Sequence, residues 1–92
     1  MKTYLLKITS PDGDVFSGEV VRFCVRGVEG DVAIMAGHIP FITAVKPCEC
    51  KIILSDGEEK FAFVGGGMLN VFKEKTVFLS GSFKWKEGEN KQ

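Results

Sequence analysis

The chain has 92 residues, which is enough for one domain but not for two. Its hydrophobic fraction of 45%, which includes eight Phe, can fill a core at this length, so disorder over most of the chain is excluded. Twelve basic and twelve acidic residues cancel without forming a basic cluster, which makes nucleic acid a poor candidate partner.

Short runs rich in Val, Ile, Phe and Thr, separated by Gly and Pro, predict an all-β chain. Residues 3–9 alternate between apolar and polar positions, as a half-buried strand does. Residues 10–13, SPDG, predict a turn, because proline fixes φ and glycine accepts positive φ. Further strands are predicted at residues 15–16, 19–26, 32–35, 41–46, 49–54, 60–64, 68–72 and 76–80.

The connections between these strands carry recognisable turn chemistry. Residues 27–30 predict a turn and residues 37–40 a loop, and residues 55–58, SDGE, are the strongest hairpin signal in the chain. Pro47 is expected to separate two strands. The three glycines at 65–67 are expected where the chain bends sharply or where another backbone comes close.

Eight to ten short strands at this spacing are typical of two packed sheets. Phe83 and Trp85 alternate with lysines, and we expect them to pack against a sheet. Residues 87–92, EGENKQ, predict a polar tail, so the expected organisation is one β-sandwich domain at 1–86 and a tail at 87–92.

No apolar run approaches the roughly 20 residues that a helix needs to cross a bilayer. The first ten residues, MKTYLLKITS, lack the pattern of a secretory signal peptide. We therefore expect the protein to stay on the side of the membrane where it is made, with its three cysteines as free thiols.

His38 is the only histidine, and together with Asp31 it could form the catalytic pair of a small hydrolase. The sequence offers no nucleophile elbow beside it, so we interpret His38 as a loop residue between Gly37 and Pro40. The glycine run at 65–67 lacks the spacing and the lysine of a phosphate-binding loop. No cofactor and no catalytic residue are therefore predicted.

A zinc site is the alternative function that the sequence leaves open. Cys24, His38, Cys48 and Cys50 could form a Cys₃His site, since Cys48 and Cys50 share one face of a strand. Structural zinc sites prefer two cysteines on a turn, however, and that spacing is absent. The alternative is thus a free-standing β-sandwich binding module with a Cys/His zinc site.

Three blocks of sequence resemble the ε subunit of bacterial F-type ATP synthases, which is equivalent to the chloroplast ε and mitochondrial δ subunits. Residues 29–47, EGDVAIMAGHIPFITAVKP, resemble the signature of that family. Residues 63–81, FVGGGMLNVFKEKTVFLSG, are similar to its second block. The first turn and residues 16–20, FSGEV, are similar to its first hairpin, so the resemblance covers residues 1 to about 82.

This resemblance implies a flattened two-sheet β-sandwich of about ten short strands that does no chemistry itself. In the family, the domain connects the γ subunit to the ring of c subunits within the rotating central stalk. The positions that match the edge facing the polar loops of the c-ring are Glu29, Gly30 and Asp31. The positions that match the γ-facing side are Ser10, His38, Phe41 and Thr43. The implied setting is a proton- or sodium-driven ATP synthase, with the chain held peripherally at the cytoplasmic face of the bacterial inner membrane.

The chain departs from the family pattern at single positions and at its end. Ala33 and Ala36 stand where Gly and Pro are usual, Cys48 follows Pro47 in place of Gly, and Gly65 replaces a common Ser. Family members usually continue into a two-helix domain that in many bacteria inhibits ATP hydrolysis and in some binds ATP. We expect a short form without that domain, so inhibition and ATP binding are not transferred.

Overall fold

The computed structural model describes residues 2–86 and contains only strands as regular structure within them. The strands are β1 (Tyr4–Ser10), β2 (Gly13–Gly27), β3 (Gly30–Met35), β4 (Phe41–Leu54), β5 (Glu59–Val71), β6 (Lys75–Ser80) and β7 (Phe83–Trp85). The all-β prediction is confirmed. A helix long and apolar enough to span a membrane does not occur in the described part of the chain. The tail predicted at 87–92 lies outside the described residues.

The strands close on themselves. Their order is β1-β6-β5-β4-β2-β3, and β1 pairs in addition with β2, while β7 pairs with β5. The β1–β6 pair is parallel and the other pairs are antiparallel. Such closure leaves few exposed strand edges, which suits a small sandwich.

Three long strands bend and take part in both layers. β2, β4 and β5 have 15, 14 and 13 residues, so each replaces two of the short strands expected from the sequence. The prediction that Pro47 separates two strands is wrong, because β4 continues through it and Pro47 pairs with Gly65. The missing N–H of Pro47 is tolerated because β2 does not pair with β4 between Val45 and Lys51.

The second layer begins where β5 passes through its glycines. A Cβ on Gly66 would lie 2.9 Å from the carbonyl oxygen of Val45, and at Gly67 it would overlap the carbonyl oxygen of Leu79. Both residues also have positive φ, at 95° and 153°. Of the two expectations for residues 65–67, the close approach of another backbone is confirmed at Gly66 and Gly67.

One hydrophobic core lies between the layers. Its largest fully buried side chains include Phe23, Phe78, Leu6, Ile8, Ile34, Ile52 and Leu69. Val20 is buried as well, although strict alternation with Phe23 would have placed it on the outer face. A register shift between Val20 and Arg22 turns both Val20 and Phe23 inward. Phe83 and Trp85 pack against this core, as expected, with their ring centroids 4.8 Å apart.

Candidate interaction surfaces

The first candidate surface is the tip of the β2–β3 hairpin, where Glu29, Gly30 and Asp31 are all exposed. The tip is held by pairing of Gly27 with Gly30. Asp31 Oδ1 accepts a hydrogen bond from Arg26 Nε at 3.1 Å. Among the described residues, the Glu29 side chain has no hydrogen bond or ion pair, so its charge is available at the tip.

His38 lies in the exposed loop 36–40, which connects β3 to β4. Its ring centroid is 5.4 Å from that of Phe41, so the imidazole packs beside the first residue of β4. Asp31 is at the start of β3 and His38 follows its end, which separates the two side chains along the whole strand. The structure does not bring together the pair that a small hydrolase would need.

Phe41 and Thr43 face the inner side of the sheet. They pair with Val71 and Leu69, which are buried, and are themselves half-buried. Together with Glu29, Gly30, Asp31, Val32 and Ile42 they line an open groove of about 290 Å³. The structure thus brings Phe41 and Thr43 beside the Glu29–Asp31 tip, although the resemblance assigns the two groups to different partners.

Ser10 lies apart from the other candidates, in the turn between β1 and β2. Its hydroxyl accepts a hydrogen bond from the backbone N–H of Asp12 at 3.3 Å. The residue before it, Thr9, begins a row of paired positions across the sheet that continues through Leu79 and Met68 to Ala44. Ser10 therefore lies at the β1 side of this sheet, whereas Phe41 and Thr43 lie at its β4 side.

An exposed apolar face lies between these candidates. It consists of the outward side chains of Ile42, Met68, Phe72 and Leu79, and we call it the apolar face. Ile42 is 66% exposed, and the other three side chains are more than two-fifths exposed. Sequence reasoning missed these residues. Ile42 could have indicated this face, because it is an apolar residue at the outward position between Phe41 and Thr43.

On the outer side of the opposite layer, two aromatic side chains lie close to a lysine. Phe61 and Phe63 of β5 point outward, and Lys86 Nζ lies 6.0 and 5.8 Å from their ring centroids. Lys86 is fixed there by an ion pair with Glu49 at 3.1 Å. The Lys86 ammonium group lies over both rings, although Phe63 is still 48% exposed, as are Phe72 and Leu79. Among the described residues, the side chains of the apolar face have no cation–π partner of this kind.

The zinc alternative is not supported by the geometry. Among residues 2–86, no three His, Cys, Asp or Glu side chains are placed to hold one metal ion. Cys24 and Cys48 line a second groove with Arg26 and Asp31, and no residue of the loop 36–40 lines it. Cys50 is fully buried, and burial, with a smaller effect of Cys48, raises the pKa of its thiol from 9.0 to about 12.

Comparison with known proteins gives a consistent result. The family model described as "ATP synthase, Delta/Epsilon chain, beta-sandwich domain" matches residues 3–86. A curated relative, the ATP synthase epsilon chain of Dichelobacter nodosus (strain VCS1703A), is 40% identical over 73 residues, which is 79% of this chain and 51% of the relative. The chain thus spans about half the length of that relative.

Two solved structures share the fold. One is from the cryo-EM structure of the Euglena gracilis mitochondrial ATP synthase, OSCP/F1/c-ring, with a TM-score of 0.85 and 18% identity. That match covers 90% of this chain and 53% of the other. The second is from the central stalk/c-ring of the Tetrahymena thermophila mitochondrial ATP synthase, with a TM-score of 0.76 and 14% identity over 96% and 76% of the two chains.

Proposed function

Because the chain belongs to the family of ATP synthase delta/epsilon chain β-sandwich domains, we propose that it is a central-stalk subunit that couples the γ subunit to the c-ring. It does no chemistry itself and transmits torque during proton- or sodium-driven ATP synthesis. Its association with the membrane is peripheral and runs through the complex, at the cytoplasmic face of a bacterial inner membrane. It needs no cofactor for this role.

The observation that carries the proposal is the apolar face, since the family match alone does not say which surface is used. Four large apolar side chains project from adjacent strands on one layer, with Ile42 at 66% exposure. Burial of such side chains against a partner contributes about 1.5–3 kcal/mol each when it is complete. Ser10 and His38 lie at the margins of this layer. We assign the apolar face, with Ser10, His38, Phe41 and Thr43 around it, to the γ subunit.

The acidic tip of the β2–β3 hairpin provides the second contact. Glu29 and Asp31 are exposed carboxylates on a short, tightly paired hairpin, which is suited to meeting basic groups of polar loops. We assign Glu29, Gly30 and Asp31 to the c-ring. The tip and Phe41, Ile42 and Thr43 line one groove, so the two proposed contacts adjoin on one side of the domain.

Isothermal titration calorimetry of the 92-residue chain with the γ subunit of the same organism tests the proposal. We expect one-to-one binding that Ile42→Asp weakens by roughly tenfold or more, because a desolvated charge would enter the contact. Phe63→Asp is the matched control, because it makes the same change at an exposed apolar residue of the opposite layer and should leave the affinity unchanged. Absence of binding between folded proteins would refute the assignment to the central stalk, and equal weakening by both variants would refute the choice of face.

A further inference from the structure

One of the four residues of the apolar face is a methionine. Met68 pairs with Ala44 of β4 on one side and with Leu79 of β6 on the other, so its side chain stands between theirs on the outer surface. It is 41% exposed, which leaves its sulfur within reach of small solutes. A thioether is oxidised under mild conditions, whereas the hydrocarbon side chains around it are not.

The hydrogen-bond donors of the polar side chains beside Met68 are already used. The amide of Asn70, two residues further along β5, donates to the backbone carbonyls of Met68 and Val77 at 3.4 and 3.5 Å. The hydroxyl of Thr9, at the β1 end of the same row of paired positions, donates to Asp14 Oδ1 at 2.9 Å. Neither side chain has a donor left for a new acceptor. A sulfoxide oxygen on Met68 would therefore depend on water, which a partner covering the face would remove.

A second methionine is exposed to nearly the same degree but lies elsewhere. Met35 is the last residue of β3 and is 45% exposed. It pairs with Arg22, on the side of the β2–β3 pair opposite to the buried Ile34, and does not belong to the apolar face. Both thioethers should react with a small oxidant at similar rates on the free chain. Only the sulfur of Met68 lies on the surface assigned to γ, so the two methionines form a natural comparison.

We propose that Met68 is an oxidation site that controls docking of the apolar face. On the free chain, the sulfur attacks one oxygen of hydrogen peroxide and the O–O bond breaks. Methionine sulfoxide and water form, with the sulfur oxidised and the peroxide reduced. The face then carries a polar oxygen that has to give up its water when γ covers it. In the assembled stalk γ shields the sulfur, so the modification acts on the chain before assembly.

The inference rests on the proposed function, which assigns the apolar face to γ. It is tested on the 92-residue chain, Met68→Leu and Met35→Leu, each with and without treatment with hydrogen peroxide. Dithiothreitol, added afterwards, returns reversibly oxidised cysteines to thiols and leaves the sulfoxides. Peptide mass spectrometry measures oxidation at each methionine, and thermal unfolding establishes that the treated chains are folded. Calorimetry then measures binding to the γ subunit of the same organism.

The matched variants should separate only after oxidation. Untreated, all three chains should bind γ alike, because leucine and methionine have similar volumes. After treatment, the parent chain and Met35→Leu should bind at least roughly tenfold more weakly, whereas Met68→Leu keeps its affinity. A methionine sulfoxide reductase should restore binding by the parent chain. When peroxide is added to the preformed complex, Met68 should react at least roughly tenfold more slowly than in the free chain.

The outcomes separate the two proposals. If the untreated parent chain binds γ, and oxidised parent and oxidised Met68→Leu then have equal affinities, the oxidation site is overturned and the central-stalk assignment stays intact. Undiminished oxidation of Met68 in the complex has the same meaning. Failure of the folded, untreated parent chain to bind γ overturns both. Loss of binding that Met68→Leu prevents and the reductase reverses supports the proposed site.

Discussion

The side chains of Glu29 and Asp31 differ in what they contact, although both project from the tip of one hairpin. Asp31 is paired with Arg26 at 3.1 Å, with both side chains mostly exposed, so the pair adds at most about 1 kcal/mol to stability. Glu29 has no such partner among the described residues. The tip therefore carries charge that is not needed for folding.

Asp31→Arg tests this separation of folding and recognition. We expect the free energy of unfolding to change by no more than about 0.5 kcal/mol, because an exposed charge rarely contributes more. Under the proposed assignment of the tip to the c-ring, attachment to the purified c-ring should weaken, because a basic group would replace the acid that meets basic groups there. Urea unfolding and a co-sedimentation assay with c-ring in detergent measure the two effects. Unfolding of the variant would contradict the exposed position of Asp31.

Cys50 provides a pH-dependent test at the core. Burial raises the pKa of its thiol from 9.0 to about 12, so in the folded state the thiol stays protonated where the unfolded chain has lost the proton. The contribution to stability is complete below about pH 9 and is lost as the pH rises from about 9 towards 12. At its steepest this loss is about 1.4 kcal/mol per pH unit.

Cys50→Ala should remove this pH dependence. We expect the variant to be less stable than the parent by about 1–2 kcal/mol at neutral pH, because it leaves a small cavity. The difference should then shrink as the pH rises above about 9, since the alanine has no proton to lose. Urea unfolding at a series of pH values measures both curves. A constant difference up to about pH 11 would contradict the raised pKa of Cys50.

Among the strands and turns, the sequence correctly predicted those whose conformation depends on residues close together in the chain. The turn at 55–58 depends on its own residues: the Glu58 N–H donates to Asp56 Oδ1 at 2.9 Å, and the Leu54 N–H to the Glu58 carbonyl at 2.8 Å. The continuation of β4 through Pro47 could not be predicted in this way. Proline is tolerated there because β2 does not pair with this part of β4, and that depends on the arrangement of two distant strands. The inward position of Val20 likewise depends on a register shift between two strands.

The close approach of β5 to β6 requires glycine at position 67. Gly67→Ala should destabilise the fold by roughly 3 kcal/mol or more, because the new methyl group overlaps the Leu79 carbonyl and φ is 153°. Gly37→Ala is the control: its φ is also positive, at 86°, but no atom lies within 4 Å of the added Cβ. The control should lose only about 1 kcal/mol. Equal losses in thermal unfolding would show that the close approach of β5 to β6 is not what requires glycine.

The two layers of the sandwich differ in the neighbours of their outward apolar side chains. On one layer, the rings of Phe61 and Phe63 lie 6.0 and 5.8 Å from Lys86 Nζ, and Lys86 pairs with Glu49. On the other layer, the apolar face has no such lysine among the described residues. The resemblance assigned Ser10, His38, Phe41 and Thr43 to a γ-facing side. It did not give the direction of each side chain, because a strand position is assigned to a face only once its register is known.

The difference between the layers should be visible in the chain without its partners. Exposed apolar area of this kind favours association, so we expect the free chain to self-associate weakly as its concentration rises. Ile42→Asp should suppress this, because a carboxylate at the centre of the apolar face would have to be desolvated in the contact. Sedimentation velocity over a concentration series measures the effect, with Phe63→Asp as the control on the opposite layer. If both variants sediment alike, the asymmetry between the layers is not a property of the molecule in solution. If only Ile42→Asp remains monomeric, the apolar face is the surface through which the free chain associates.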